Sequence, residues 1–428
     1  MKHLKRELEE GALIDGSKPR SAGLACTCEG GSLGERRSLT NLEERIDNVA
    51  SIAALHAADV DQQSRFPREA IGAARELRLL GSELYRPERA RGESLRTVAT
   101  ACAKIANGCG ATGMIFAMHH LQLFCLLRHN AQNPWGVRFL TRQSAESLLL
   151  ASSTTEDGKG GDLGRSHCCV EPIGEMRRVR KDGAVISYGE EADAVLVTAR
   201  RSADAAASDQ VLACVIREDL ELERTTAWNA MGMRGTCSHT YRLEGRFSPE
   251  QVVAAPFATI RSQTMTPAAH ILWAAVWIGI ARGAASKARA FARRRGAGNG
   301  AAAGRRLGIA TSQLQSATAL LERAIDAYDA ALQGGTVDAA LLRQLVHLKI
   351  AVSELTRSTC LDALQSIGIA GYSTQGDQSV ERNIRDICSA SIMINNDKIS
   401  EYVDDLNLIL ETPGIENRFS DFERGDAA

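Results

Sequence analysis

Two short apolar stretches in the middle of the chain, Ala194-Val-Leu-Val-Thr and Val211-Leu-Ala-Cys-Val-Ile, decide the fold. Similar stretches begin at Ala184 and Thr240, and Gly and Asp residues separate them, a pattern typical of short antiparallel strands. On both sides the apolar residues instead recur at helical spacing, up to about residue 150 and again from about Pro267. The sequence therefore predicts a mainly α protein with a central β domain.

The changes in periodicity divide the chain into five parts. Residues 1–40 mix Gly, Ser and charged residues without apolar periodicity, so we predict a flexible N-terminal extension. An N-terminal helical domain is expected at residues 41–150, an antiparallel β-sheet or barrel domain at 151–257, a C-terminal four-helix bundle at 258–412 and a tail at 413–428.

The composition argues against several classes of protein. The 428 residues include 51 basic and 52 acidic ones, so the global charge does not predict nucleic acid or an anionic membrane as a partner. The best candidate for a membrane span, Ile271 to Ala281, is too short to cross a bilayer. The first ten residues contain acidic side chains and do not resemble a secretory signal. We therefore expect a cytoplasmic protein.

The cysteines do not predict a disulfide framework or a metal site. There are 11 of them, an odd number scattered along a long chain. Cys26 and Cys28 have no second pair or histidine nearby, and Cys168 and Cys169 are adjacent, whereas structural zinc sites use two spaced pairs. No metal is predicted.

Five segments between about residues 42 and 410 resemble, in order and spacing, motifs of the acyl-CoA dehydrogenase family. They are Phe66-Pro-Arg-Glu with Leu79-Leu-Gly; Thr155-Glu-Asp-Gly-Lys-Gly-Gly-Asp; Val185-Ile-Ser-Tyr-Gly with Ala192-Asp; Met231-Gly-Met-Arg-Gly-Thr; and Gln365-x-x-Gly-x-x-Gly-Tyr with Val380-Glu-Arg and Arg385-Asp. The resemblance implies a helical–β–helical subunit, bound FAD and a homodimer or homotetramer that shares cofactor contacts across subunits.

The resemblance also implies which residues hold the cofactor. A flavin ring has polar edge atoms that need hydroxyl groups and backbone N–H groups around them. Thr155 and Ser187 would serve that edge, although both residue types are also common in turns at strand ends. Arg295 would reach the pyrophosphate of a neighbouring subunit's FAD, although Gly296-Ala-Gly-Asn-Gly replaces the family's Phe-Gly after it. The other implied cofactor residues are Gly161, Gln365, Gly368 and Asn396.

The chain departs from the family at the catalytic base. Ile394 occupies the place of the family's usual Glu, and Ala269 or His270 occupies the alternative place on the preceding long helix. An imidazole can abstract a proton near neutral pH, so His270 is our first candidate and Asp397 is the second. The other interpretations are a polar contact at a helix end for His270 and an N-cap or Asx turn for Asp397.

Three further residues are candidates for substrate binding. His119 and His120 lie on the helix that lines the acyl pocket in the family, and adjacent residues on a helix point in different directions, so we expect at most one to face inward. A single buried, hydrogen-bonded histidine is the alternative. Arg234, in the Met231–Thr236 segment, is the third candidate.

The leading functional prediction is an FAD-dependent oxidoreductase that oxidises the α,β-bond of an acyl-CoA or acyl-carrier-protein thioester. Its electron acceptor would be a flavoprotein or oxygen. Because the catalytic Glu is missing, a flavin-dependent monooxygenase on the same scaffold is an alternative, since such an enzyme does not need a base at the α-carbon. A catalytically silent subunit that binds a partner or an acyl chain is the third interpretation.

Overall fold

A computed structural model describes residues 41–85, 94–158, 162–295 and 301–401, with the side chains of residue 295 and residues 301–303 excepted. The predicted extension at 1–40 and the tail at 413–428 therefore lie outside the described residues. The prediction of a mainly α protein with a central β domain is confirmed.

The first part of the described chain is helical. Its helices are α1 (Leu42–Gln62), α2 (Arg68–Glu76), α3 (Arg96–Gly108), α4 (Gly110–His129) and α5 (Pro134–Glu146). The side chain of Asn41 accepts a hydrogen bond from the Glu44 N–H and caps the start of α1. Helix α4 is apolar on almost every side and its first 17 residues are buried with one exception, Met118, so it forms the centre of this part.

In the described part of the chain, seven strands form two sheets. The strands are β1 (Leu150–Ser153), β2 (Val170–Ile173), β3 (Met176–Ile186), β4 (Ala194–Arg200), β5 (Gln210–Ile216), β6 (Leu220–Thr226) and β7 (His239–Phe247). One sheet has the order β1-β4-β5 and the other has the order β2-β3-β7-β6. The expectation of an antiparallel domain holds for the other strand pairs but was wrong for β1, which pairs with β4 in parallel, with Leu150 opposite Ala194. The long connection through β2 and β3 allows this, since a parallel pair needs a crossover rather than a tight turn.

The last part is helical again. A short helix, α6 (Phe257–Ile260), and a π-helical turn lead into three long helices, α7 (Thr266–Arg295), α8 (Ala301–Gly334) and α9 (Ala339–Ile367). Helix α9 packs against both α7 and α8. The short helices α10 (Ile369–Tyr372) and α11 (Glu381–Ile387) follow, and a further helix begins within residues 396–401.

Among the residues that the structure describes, two helical segments are long and apolar enough to cross a membrane, Gly110–His129 and Phe257–Arg294. In each case 89% of the most apolar window is buried inside the protein. Such burial is typical of the central helix of a globular protein, so these segments are weak support for a membrane span.

Candidate functional site

A cavity of about 360 Å³ lies where the first helical part, the β sheets and the last helical part meet. Met114 and Met118 of α4 form one side, and Val185 and Ser187 at the end of β3 form another. The remaining walls come from the segment 228–238 and from Arg385, Cys388, Ser389, Ile392 and Met393. We call it the junction cavity. A larger cavity of about 670 Å³ lies between α8 and α9, but none of the predicted site residues that the structure describes lines it.

A row of three hydroxyl groups lines the junction cavity. The Ser187 and Ser238 hydroxyl oxygens are 2.8 Å apart, and those of Ser238 and Thr236 are 2.7 Å apart. Thr236 donates its hydroxyl proton to the Met233 carbonyl at 2.9 Å. Ser187 and Ser238 meet because they are the residues next to Ile186 and His239, the last pair in the antiparallel register of β3 and β7.

The turn that carries Thr236 is held tightly against α11. The Met233 N–H donates to the Asp386 carboxylate at 2.6 Å, and Arg385 donates to the Met231 carbonyl at 2.8 Å. A Cβ atom on Gly232 would lie 2.2 Å from the Arg385 carbonyl oxygen, so only glycine allows this approach. Arg385 also pairs with Glu381 and Asp61, and these partners raise its pKa.

A buried ion pair holds the loop that follows Thr155. The Glu156 carboxylate accepts hydrogen bonds from the Ser166 hydroxyl at 2.8 Å and the His167 N–H at 2.7 Å. The Lys181 Nζ lies 3.5 Å from the same carboxylate and donates to the Ser153 carbonyl at 2.8 Å. Burial opposes ionisation of Glu156, but the Lys181 charge and the hydrogen-bond donors outweigh it and lower its pKa to about 2.

Thr155 itself lies next to the cavity wall. Its hydroxyl accepts from the Val185 N–H at 3.1 Å and is 3.3 Å from the Val185 carbonyl. The structure thus connects Thr155 to the strand end that carries Ser187, although Thr155 is not among the residues that line the cavity. Gly161, the other cofactor residue predicted in this loop, lies outside the described residues.

Comparisons with known proteins show which chains this one is similar to. Residues 271–396 match the family model for the C-terminal domain of acyl-CoA dehydrogenases. The last helical part of the chain is thus similar to the C-terminal domain of that family. The predicted resemblance is thereby confirmed, and the solved structures extend the fold to most of the chain. A comparison with curated protein sequences gave no match.

Three solved structures illustrate the acyl-CoA dehydrogenase fold of this chain. FMN-bound TdsC from Paenibacillus sp. A11-2, a dibenzothiophene monooxygenase, is 19% identical with a TM-score of 0.75, over 86% of this chain and 98% of its own. Methanesulfinate monooxygenase MsuC from Pseudomonas fluorescens is 18% identical with a TM-score of 0.72, over 88% and 98%. Butyryl-CoA dehydrogenase from Megasphaera elsdenii is 17% identical with a TM-score of 0.73, over 88% and 100%. At these identities the likeness shows the fold alone.

The expectation that at most one of His119 and His120 faces inward was wrong. Both side chains are fully buried, because neighbouring elements cover α4 on nearly all sides. His119 Nε2 donates to the Leu80 carbonyl at 3.0 Å and its Nδ1 accepts from the Leu150 N–H at 3.0 Å. His120 Nε2 donates to the Leu79 carbonyl at 2.9 Å. Neither lines the junction cavity, so the structure does not support the predicted substrate contacts.

Burial also keeps both of these histidines neutral. Desolvation lowers the pKa of His119 to about 4, and that of His120 lies well below its ordinary value for the same reason. An uncharged ring fits their hydrogen bonds, because each donates from one nitrogen while the other nitrogen can accept. Through these hydrogen bonds, His119 and His120 hold residues 79–80 and the start of β1 against α4.

The two predicted catalytic residues do not line the junction cavity either. His270 is buried on α7, where its Nδ1 donates to the Leu345 carbonyl at 3.1 Å, and desolvation followed by the nearby Lys349 charge lowers its pKa to about 4. Asp397 is exposed, and its backbone N–H donates to the Asn395 side-chain oxygen at 2.8 Å. For His270 the alternative interpretation, a polar contact, describes its surroundings better, whereas in the turn at Asp397 the side chain that accepts the hydrogen bond is that of Asn395.

The remaining predicted cofactor and substrate residues lie apart from the cavity. Asn396 accepts a hydrogen bond from Lys349 at 2.6 Å, and Arg234 donates to the Ser64 hydroxyl at 2.9 Å. Gln365 and Gly368 are exposed at the end of α9, and Gly368 has a φ of 77°. The backbone of Arg295 ends α7, and its side chain is outside the description. The roles predicted for these residues stay predictions. The resemblance implies that a second subunit shares the cofactor contacts.

Sequence reasoning missed several residues that the structure brings together. Ser238 joins Ser187 and Thr236 in the hydroxyl row, and only the register of β7 against β3 reveals it. Trp228 and Met393 also line the cavity, although neither was among the predicted site residues. The Glu156–Lys181 pair had one available signal, a lysine in an otherwise alternating strand pattern whose side chain falls on the buried face.

Proposed function

We propose that this chain is a flavin-dependent monooxygenase that acts on a neutral, mainly apolar substrate in the junction cavity. The observation that carries the proposal is the chemistry of the cavity wall. Thioether, indole, aliphatic, thiol and hydroxyl groups line it, and its described lining contains no carboxylate and no imidazole. Its guanidinium, that of Arg385, is already paired with Glu381 and Asp61.

The cavity suits a flavin ring. Val185 is 40% exposed at the strand end and offers an apolar surface, while the Ser187 hydroxyl offers a hydrogen-bond partner beside it. A flat ring with apolar faces and polar edges needs this combination. When bound, the flavin would supply the electron-transfer chemistry of the reaction. The resemblance implies FAD, and TdsC binds FMN, so both nucleotides belong in the test.

The missing base separates oxygenation from dehydrogenation. Removal of an α-proton needs a positioned base within hydrogen-bond reach of the reacting carbon. Ile394 stands where the resemblance implies that base, and His270 makes its contacts with α9 outside the cavity lining. Oxygen insertion into an apolar substrate needs no such group. The fold is compatible with either reaction, since both monooxygenases and a dehydrogenase have it.

An acyl-CoA dehydrogenase, with an acyl-CoA or acyl-carrier-protein substrate and a flavoprotein acceptor, is the second candidate. The match of residues 271–396 to the family's C-terminal domain favours it. The Arg385–Asp386 pair also occupies its motif position and holds the Met231–Thr236 turn.

We also propose a cytoplasmic homodimer or homotetramer. Leu361, Ile369 and Tyr372 are exposed near Gln365 and Gly368, so the residues that would need a second subunit lie on an apolar part of the surface. Light scattering of the purified protein tests this. A monomeric mass at micromolar concentration with flavin bound would contradict it.

Flavin titration followed by two turnover assays tests the function. We expect saturable binding of FAD or FMN, no bleaching of the bound flavin by acyl-CoA thioesters without oxygen, and oxygen-dependent modification of an apolar probe such as indole when reduced flavin is supplied. Rapid anaerobic bleaching by a thioester would replace the proposal with the dehydrogenase. If neither FAD nor FMN binds, whether oxidised or reduced, both the monooxygenase and the dehydrogenase would be rejected.

A further inference from the structure

The hydroxyl row of the junction cavity has a fixed direction. A carbonyl oxygen carries no proton, so in the 2.9 Å contact between Thr236 and Met233 the Thr236 hydroxyl must be the donor. Each hydroxyl has one proton. Thr236 can then only accept from Ser238, at 2.7 Å, and Ser238 can only accept from Ser187, at 2.8 Å.

The direction of the row decides what Ser187 offers to a ligand. Its proton is used toward Ser238, so the part of its oxygen that remains available can accept a hydrogen bond but cannot donate one. A ligand atom that meets Ser187 in the cavity must therefore bear an N–H or O–H. Reversing the row would place two lone-pair oxygens, those of Thr236 and Met233, 2.9 Å apart without a proton between them.

The anchor of the row is rigid. The Met233 N–H is held by the Asp386 carboxylate at 2.6 Å, and the Met233 carbonyl also accepts from the Trp228 indole N–H at 3.2 Å and the Thr236 N–H at 3.1 Å. Thr236 is 3% exposed, so its side chain has little freedom to turn away. The carbonyl keeps two donors if the Thr236 hydroxyl is removed, which makes that removal a mild change to the fold.

We propose that Thr236 and Ser238 are positioning residues that hold Ser187 as a hydrogen-bond acceptor, so that the junction cavity prefers reduced to oxidised flavin. A reduced isoalloxazine ring carries an N–H group at a position where the oxidised ring has a bare nitrogen. An acceptor complements the first and repels the second. The inference rests on the proposed function, because it takes the ligand of Ser187 to be the flavin.

Anaerobic titration of the whole protein with oxidised and with reduced flavin tests the proposal. The measured quantity is the ratio of the two dissociation constants, for the wild type and for Thr236→Val, Ser238→Ala and the control Thr225→Val. The control removes a hydroxyl that donates to the Thr240 carbonyl at 3.1 Å on an exposed part of β6. The midpoint potential of the bound flavin, measured with redox dyes, gives an independent readout, and a thermal melt of each variant shows whether it is folded.

We expect the wild type to bind reduced flavin more tightly. Thr236→Val and Ser238→Ala release the Ser187 proton toward the cavity, so each should lower the preference by about 3- to 10-fold, the range of one net hydrogen bond. A tenfold change corresponds to a fall of about 30 mV in the midpoint potential of the bound two-electron couple. Thr225→Val should leave both quantities unchanged.

The outcomes separate this inference from the proposed function. If both flavins bind and the preference is the same in the wild type, Thr236→Val and Ser238→Ala, the positioning role is wrong and the flavin proposal stands. If Thr236→Val does not fold, Ser238→Ala decides alone, since it removes a single half-buried hydroxyl. If neither oxidised nor reduced flavin binds the wild type, the proposed function fails and this inference fails with it.

Discussion

The wall of the junction cavity and the buried polar clusters around it use opposite kinds of polar side chain. The wall has neutral hydroxyls, those of Ser187, Ser238 and Thr236, beside thioethers and aliphatic groups. The clusters contain titratable groups, the Glu156–Lys181 pair in the β sheets and His119 with His120 in the first helical part, and each has hydrogen-bond partners. These buried titratable residues thus serve the fold, whereas the residues that line the cavity are uncharged apart from Arg385, which is paired with Glu381 and Asp61.

The difference has a physical cause. A charged or strongly polar group without a partner is costly to bury, so a core that contains one must surround it with donors and acceptors, and these leave no free atom for a substrate. A cavity that binds a flat apolar ring has the opposite requirement. Its wall must be easy to desolvate, which hydroxyl, thioether and aliphatic groups allow.

The largest effect that would test this comparison is expected at Lys181. Replacing it with Met leaves the buried Glu156 carboxylate without its cation, and such a loss typically costs about 3–5 kcal/mol in the free energy of unfolding. Urea denaturation measures it. Arg178→Met, on the same strand, removes a pair with the partly exposed Glu171 and should cost at most about 1 kcal/mol.

A double variant, Glu156→Gln with Lys181→Met, removes both charges and should regain part of the lost stability. Equal losses in Lys181→Met and Arg178→Met would show that the buried pair does not stabilise the loop after Thr155.

A somewhat smaller loss is expected for His119→Leu. The Leu150 N–H would lose its side-chain acceptor, and the Leu80 carbonyl would keep only the Gln143 amide at 2.5 Å. One buried backbone group without a partner costs about 1–3 kcal/mol in the free energy of unfolding. His56→Leu, on the surface of α1, is the matched control and should change little. A drop in flavin affinity without a loss of stability would instead place His119 in the ligand site.

Lowering the pH should reduce the stability of the fold around the buried His119 and His270 before it affects the Glu156–Lys181 pair. The pKa of His119 and that of His270 are lowered to about 4, so between about pH 6.5 and pH 4 the unfolded chain binds more protons than the folded one. Stability therefore falls as the pH falls through this window. Arg75 faces His119, His120 lies beside it and Lys349 faces His270, so no neighbouring carboxylate counters the effect in those contacts.

Thermal melts at half-unit steps of pH measure this dependence. His119→Gln, whose amide does not titrate, should show a shallower fall than the wild type. The pKa of Glu156 is lowered to about 2, so its contribution is lost only below about pH 4.5, outside most of this window. A melting temperature that is flat from pH 6.5 to 4.5 would contradict the neutral state of the histidines.

The smallest effect on turnover is expected at the two residues that the sequence marked as catalytic. Because His270 and Asp397 do not line the junction cavity, His270→Ala and Asp397→Asn should change the turnover of folded, flavin-loaded protein by less than about threefold. Loss of a general base typically costs about 10²–10⁴-fold in rate. A loss of that size in His270→Ala, with flavin still bound, would return His270 to the active site and favour the dehydrogenase.

The order of helical part, β sheets and helical part could be read from the sequence alone. Apolar residues repeat with the period of whichever element they belong to, and this local signal survives in the long helices and in the buried strands β4 and β5. The family resemblance was equally readable, because its motifs are short segments in a fixed order. The parallel pairing of β1 with β4 was not, since pairing partners are chosen by the packing of distant segments.

The site depended on the tertiary structure. Ser187 was a candidate from its motif, but Ser238 and Thr236 join it only because β7 runs antiparallel to β3 in one particular register. Conversely, the sequence marked His270 as a base because an imidazole titrates near neutral pH, and it marked His119 and His120 as substrate contacts through the family resemblance. Their burial against backbone carbonyls, which lowers their pKa and occupies their ring nitrogens, results from contacts with residues 30 to 80 positions away. The sequence specifies the type of each side chain, but elements distant along the chain decide whether that side chain faces a cavity or the core.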